Sequence, residues 1–211
     1  MTPRKDTEMM QVCKALFPEV MSKEREYHDR NRPPLVPLPP LSKEHYDMVD
    51  DALEAIYLEH CPSRSESDHR QSALDNLQNY LNQHFDPTIE LQLFGSSKNG
   101  FGFGGSDMDI CLMFTGYREE PPAQYNSAAD VITALSNVLK NNKMMTNVTP
   151  VINARVPIVK FEYFYNNKVY EGDISYYNML AQRNTELLMT YANIDERCQK
   201  LGYVLKGNHP G

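Results

Sequence analysis

Cysteine is scarce and scattered: Cys13, Cys61, Cys111 and Cys198 lie far apart, form no C-x-x-C pair, and stand at ligand spacing from none of the six histidines. That spacing argues against a zinc site and a disulfide framework. Long apolar runs are missing too, so no stretch of about 18 residues could span a bilayer, and the N-terminus lacks the apolar core of a signal peptide. Basic charge is the third thing in short supply. With 21 Lys and Arg against 28 Asp and Glu, a net charge of −7, the chain has no broad electrostatic grip on nucleic acid, and any RNA contact is local or assisted. No internal repeat occurs. These absences leave a soluble protein, expected in the cytoplasm, and 211 residues at 41% hydrophobic content suffice for one ample core or two small ones.

What the chain does have is concentrated in residues 93–112. An apolar run ends in Gly95-Ser96, a glycine-rich turn runs through Gly105, and Asp107-x-Asp109 opens a second apolar run. Strand residues alternate faces, so Asp107 and Asp109 are expected to project together, away from Met108 and Ile110. Paired carboxylates repel one another unless a divalent cation lies between them, and hard oxygen ligands suit Mg²⁺ or Mn²⁺. Gly95 allows a close backbone approach, and a helix opened by Ser96 would offer a hydroxyl and free amides to phosphate. Cation and phosphate together point to nucleotide chemistry. Two aspartates around one apolar residue also occur at exposed strand starts; the joint spacing with Gly-Ser is what gives the pattern specificity.

The flanking chain reads as support. Residues 1–41 form an extension: Met10, Val12 and Leu16 can share a helical face, and the proline-rich tract 33–40 runs extended, as a packing strap or as a ligand for a protein partner. Ser42 is expected to cap a core-facing helix ended by Pro62, and a second helix is expected from Ser65 or Ser67 with Ala73, Leu77, Tyr80, Leu81 and Phe85 on one side. Strands are expected at 89–93, 107–114, 147–152 and 154–165, with Pro157 near the start of the last. A helix is expected at 127–141. Asn166-Asn167 suits a tight turn into a strand at 168–175, which puts Asp173 and Glu171 on one face and Ile174 on the other. Helices at 177–191 and after an Asp195 cap complete the reading. The fold class is therefore α/β, a mixed sheet with Asp107, Asp109 and Asp173 on neighbouring strands, where three carboxylates could bind two metal ions.

The spacing of Gly-Ser, Asp-x-Asp and a later strand aspartate resembles the template-independent RNA nucleotidyltransferases of the DNA polymerase β superfamily. Residues 94–103, 156–161 and Glu171-Gly172-Asp173-Ile174-Ser175, running on to Asn178, Leu180-Ala181 and Asn184-Thr185, are similar above all to the catalytic module of animal zinc-knuckle terminal uridylyltransferases. The likeness covers residues 37–206. It implies a polymerase β-like domain at 42–206 that moves a uridylate from UTP to an RNA 3′ end. It also implies Gly95 and Ser96 at the triphosphate, Asp107 and Asp109 on both metals, and Asp173 on the second metal as base. Ala181, Asn184 and Thr185 would surround the ribose, Lys206 would reach the phosphates, and Lys98, Asn99 and Arg155 are further candidates for the RNA end. An adenylyltransferase using ATP, and a binding module without catalysis, are the alternatives. Gly104-Gly105 replaces the family's usual charged or polar pair, and the tail 207–211 replaces the continuation of its helical lobe. The resemblance thus leads us to expect an incomplete second lobe and a weak or inactive chain when alone.

Overall fold

The computed structural model describes residues 42–116 and 120–207. Cys13, the amphipathic piece, the proline tract, part of the expected loop after residue 116 and the tail beyond Gly207 lie outside them. Two compact units divide at Asp50 and Asp51. Of the first only Ser42 and the first turns of a helix are described, and the second contains the rest of that helix and all the elements that follow it.

In chain order the elements are α1 (Lys43–His60), α2 (Arg64–His84), β1 (Ile89–Phe94), β2 (Met108–Phe114), α3 (Ala128–Lys140), β3 (Met145–Val151), β4 (Ile158–Tyr165), β5 (Lys168–Tyr176), α4 (Met179–Ile194) and α5 (Glu196–Gly207). The five strands form one mixed sheet in the order β1-β2-β5-β4-β3, with β2 and β5 parallel and the other neighbours antiparallel. The expected α/β class is what forms.

Alternation decides which face is covered. Ile89, Leu91 and Leu93 of β1, Ile110 and Leu112 of β2, Val159, Phe161 and Tyr163 of β4, and Ile174 of β5 enter one core with Ala73, Leu77 and Leu81 of α2 and Val131, Leu135 and Leu139 of α3. Each such aliphatic side chain contributes about 1.5–3 kcal/mol relative to exposure. Among the described residues no element covers the opposite face of β4 and β5, which carries Lys160, Glu162 and Phe164 beside Glu171 and Asp173. Its openness is what makes a site there accessible.

Local chemistry sets the boundaries. Ser63, not Ser65 or Ser67, caps α2 through a full capping box with Glu66, worth about 1 kcal/mol. Asn166 and Asn167 take φ values of 47° and 60° in the β4–β5 turn, as their type allows. β4 begins after Pro157, later than residue 154, because the proline has no amide to donate to the ladder. The expectation of a core-facing first helix is corrected: α1 has no buried residue. Tyr57 meets α5 instead, edge-on to Tyr203 at 5.4 Å and bonded to Gln199 at 3.3 Å, and Leu58 is 67% exposed.

Candidate active site

The site grows from the end of β1. Gly95 turns the chain at φ 63°, a left-handed value that suits glycine. The helix expected from Ser96 is a single 3₁₀ turn, Gly95–Ser97, closed by the Lys98 and Asn99 amides on the Gly95 carbonyl. So short a turn presents no helix N-terminus; its amides act one by one. That of Gly95 donates to Thr185 Oγ1 at 2.8 Å, and the Thr185 hydroxyl donates in turn to the Ala181 carbonyl at 2.8 Å. Thr185 is buried and shapes the turn from α4, while Asn184 is exposed and Ala181 half-buried.

The glycine-rich loop that follows is held from three directions. Gln199 Nε2 and Tyr203 Oη of α5 donate to the carbonyls of Gly100 and Gly102. Phe103 stacks between His60 at 4.9 Å and Tyr203 at 5.4 Å. Lys206 donates to the Phe101 carbonyl at 3.2 Å and lies 5.0 Å over the Phe103 ring. Asn99, a candidate for RNA contact, is buried and accepts from the Phe101 amide, whereas Lys98 and Arg155 are exposed.

At the far end of the loop Arg70 of α2 donates to the Ser106 carbonyl at 3.1 Å, next to Asp107, and Ser97 Oγ donates to the Asp107 carbonyl at 2.7 Å. Arg70 is 5% exposed, and its Nε has no partner among the described residues. The sequence marks Arg70 only as a basic residue of a helix. Its position on the stripe of Ala73, Leu74 and Leu77 was the available signal, since an arginine on a core stripe needs a buried acceptor.

The sheet then brings the carboxylates together. Asp109 and Asp173 are register partners on parallel β2 and β5, strands about 4.8 Å apart. Asp107 precedes β2 and is exposed. Burial, then the charges of Asp173 and Asp107, push the Asp109 carboxyl up to about 6, against the Ser96 amide and Lys206. Burial chiefly raises Asp173 as well, helped by Asp107 and opposed by Lys160. A groove of about 330 Å³ opens beside them, with Asp107, Asp173, Lys160 and Glu171 in its wall.

A divalent cation fits this donor set in kind: hard, anionic oxygens whose mutual repulsion a cation relieves. The ligands are not yet closed around a point. Among the described residues no three His, Cys, Asp or Glu groups converge to hold an ion as they stand, and Asp109 is turned back onto the Ser96 amide. A cation must also displace the proton that Asp109 retains below about pH 6. We therefore expect Mn²⁺ affinity, measured by calorimetric titration, to be constant above about pH 7 and to weaken roughly tenfold per unit below pH 6. Without cation the linkage runs the other way: folded carboxyls with raised values bind protons more tightly than unfolded ones, so stability falls as pH rises from about 4 to 6.

Residues 49–193 match the family described as poly(A) RNA polymerase, mitochondrial-like, central palm domain. Terminal uridylyltransferase 4 of Mus musculus is 39% identical over 195 residues, which are 92% of this chain and 12% of that protein. Poly(A) RNA polymerase GLD2-A of Xenopus laevis is 32% identical over 203 residues, 83% of this chain and 38% of the relative. The chain thus spans well under half the length of either curated relative. The solved GLD-2/RNP-8 complex aligns at a TM-score of 0.68 and 27% identity, over 76% of this chain and 54% of its own. The chain belongs to the family of mitochondrial-like poly(A) RNA polymerase central palm domains.

Proposed function

We propose that the chain is an RNA 3′-terminal uridylyltransferase domain. The observation that carries the reading is the register pairing of Asp109 with Asp173 at the mouth of an open groove, with Asp107 beside them. The triphosphate lies against the Gly95–Ser97 turn, where the Ser96 hydroxyl meets it, and Lys206 swings from the Phe101 carbonyl to the phosphates. Asn184 and Ala181 line the ribose side, and Thr185 acts through Gly95. Asp107, Asp109 and Asp173 would hold two Mg²⁺ or Mn²⁺ ions, which stabilise charge at the attacking and leaving oxygens. The RNA 3′-hydroxyl enters beside Asp173. Its oxygen bonds to the α-phosphorus, the bond from that phosphorus to the bridging oxygen of the β-phosphate breaks, and pyrophosphate leaves. The hydroxyl proton passes to Asp173, whose raised affinity for protons suits a base.

UTP rather than ATP is favoured by the higher identity to a uridylyltransferase, 39% against 32% for a poly(A) polymerase. Turnover by this chain alone is expected to be slow, because among the described residues the carboxylates are not closed around a point. The test is extension of a labelled oligoribonucleotide with each of the four nucleoside triphosphates and Mn²⁺. Uridine addition is the expected result. Adenosine addition would transfer the assignment to polyadenylation, and no addition together with no calorimetric Mn²⁺ binding would leave a binding module.

A further inference from the structure

The open face of the sheet does not stop at the carboxylates. Successive outward side chains of β4 are Lys160, Glu162 and Phe164, and their register partners on β5 are Asp173, Glu171 and Val169. The groove wall reaches Glu162 and Glu171, one rung short of the last pair. That pair is apolar and uncovered: Phe164 is 46% and Val169 54% exposed, and Met144, whose carbonyl accepts the Phe164 amide at 2.8 Å, is 42% exposed. A polar groove that begins at the carboxylates thus ends one rung from an exposed aromatic side chain.

The walls say what kind of molecule fits. Glu162 is held by Thr146 at 3.0 Å and by Asn147 at 2.6 Å, the latter on a β-bulge at φ 55°. Among the described residues Lys160 is the one cation in the wall, against the carboxylates of Asp107, Glu162, Glu171 and Asp173. Such a floor repels a phosphate track; it accommodates one phosphate at Lys160, ribose hydroxyls that donate to carboxylates, and base faces. A single strand supplies all three. Any strand that ends at Asp173 must also leave the site, and the groove that contains Asp173 runs toward Phe164 and ends one rung short of it. From Lys160 to Phe164 is about 13 Å along the strand, or about four nucleotides stacked at 3.4 Å and fewer if extended.

We propose that this face binds the single-stranded RNA immediately upstream of the reacting 3′ end, with one base stacked on Phe164. The inference rests on the reading that places the 3′ end at Asp173. Its test does not need catalysis. Fluorescein-labelled oligoribonucleotides, each with one abasic residue at a different position from the 3′ end, are titrated with the full chain by anisotropy, without nucleoside triphosphate. At one upstream position the abasic residue is expected to weaken binding by about 5- to 150-fold. Phe164→Ala should weaken the intact strand equally and lose sensitivity to that position, while Phe164→Tyr retains both; melting curves check that each variant folds. A flat abasic scan, no RNA binding, or Phe164→Ala binding like the parent would overturn the proposal, the last leaving Phe164 to a protein partner. A position-specific effect in a chain that adds no nucleotide would sink only the transfer reading.

Discussion

Replacing Asp173 with asparagine is expected to lower RNA extension by about 10²–10⁴-fold without lowering the melting temperature. Asparagine keeps the shape but cannot take the hydroxyl proton and is a poorer ligand for a cation. Asp173 is half-buried on the open face, and its partner Asp109 on β2 is raised first by burial and then by the charge of Asp173. Removing that charge relieves repulsion, so the fold should be unchanged or slightly firmer, and the Asp109 carboxyl should return toward its ordinary value. Extension assays with melting curves decide the matter. Activity within about tenfold of the parent would remove Asp173 from the reaction, and a collapsed melting curve would make it a structural residue.

Gly95→Ala is the second large effect. A side chain at φ 63° costs about 1–2 kcal/mol, which in a domain of this size is a fall of about 2–8 °C in melting temperature. The new Cβ would also collide with Asp109 Oδ2. Either the carboxylate turns away from the Ser96 amide or the turn shifts, and a displacement near 1 Å at a reacting centre is worth about 10²-fold in rate. Gly105→Ala separates the two causes. Gly105 has φ 80°, yet nothing lies within 4 Å of a Cβ there, so that variant should lose comparable stability and much less activity. Equal activity losses in both would show that loop flexibility, not the collision with Asp109, is what matters.

The parts of this molecule that were legible in the sequence are those set by short-range rules. The alternation of Ile89, Leu91 and Leu93, the Asn166-Asn167 turn and the face shared by Glu171 and Asp173 follow from strand period and turn chemistry. The resemblance in the spacing of Gly-Ser and three aspartates pointed to the candidate site, and the register of β2 with β5 places two of those aspartates side by side. Long-range packing was not legible. Nothing local tells that Tyr57 meets α5 outside the core, that Arg70 ends at the Ser106 carbonyl, or that Thr185 serves the Gly95 amide. Each depends on which apolar stripe wins the sheet and which is left to pack elsewhere, and helical periodicity alone cannot rank them.

The pairing of β2 with β5 has a consequence for how the protein is made. Parallel strands cannot be joined by a tight hairpin, and here α3, β3 and β4 all intervene between them. The hairpin of β4 and β5, closed by two asparagines, can form early and locally, but the contact that aligns Asp109 with Asp173 must wait for a long loop to close, which is entropically costly and slow. A chain still emerging from synthesis, or one partly unfolded, therefore carries its hairpin without a reaction centre. Under the proposed function, catalysis by this chain reports that β2 and β5 have paired.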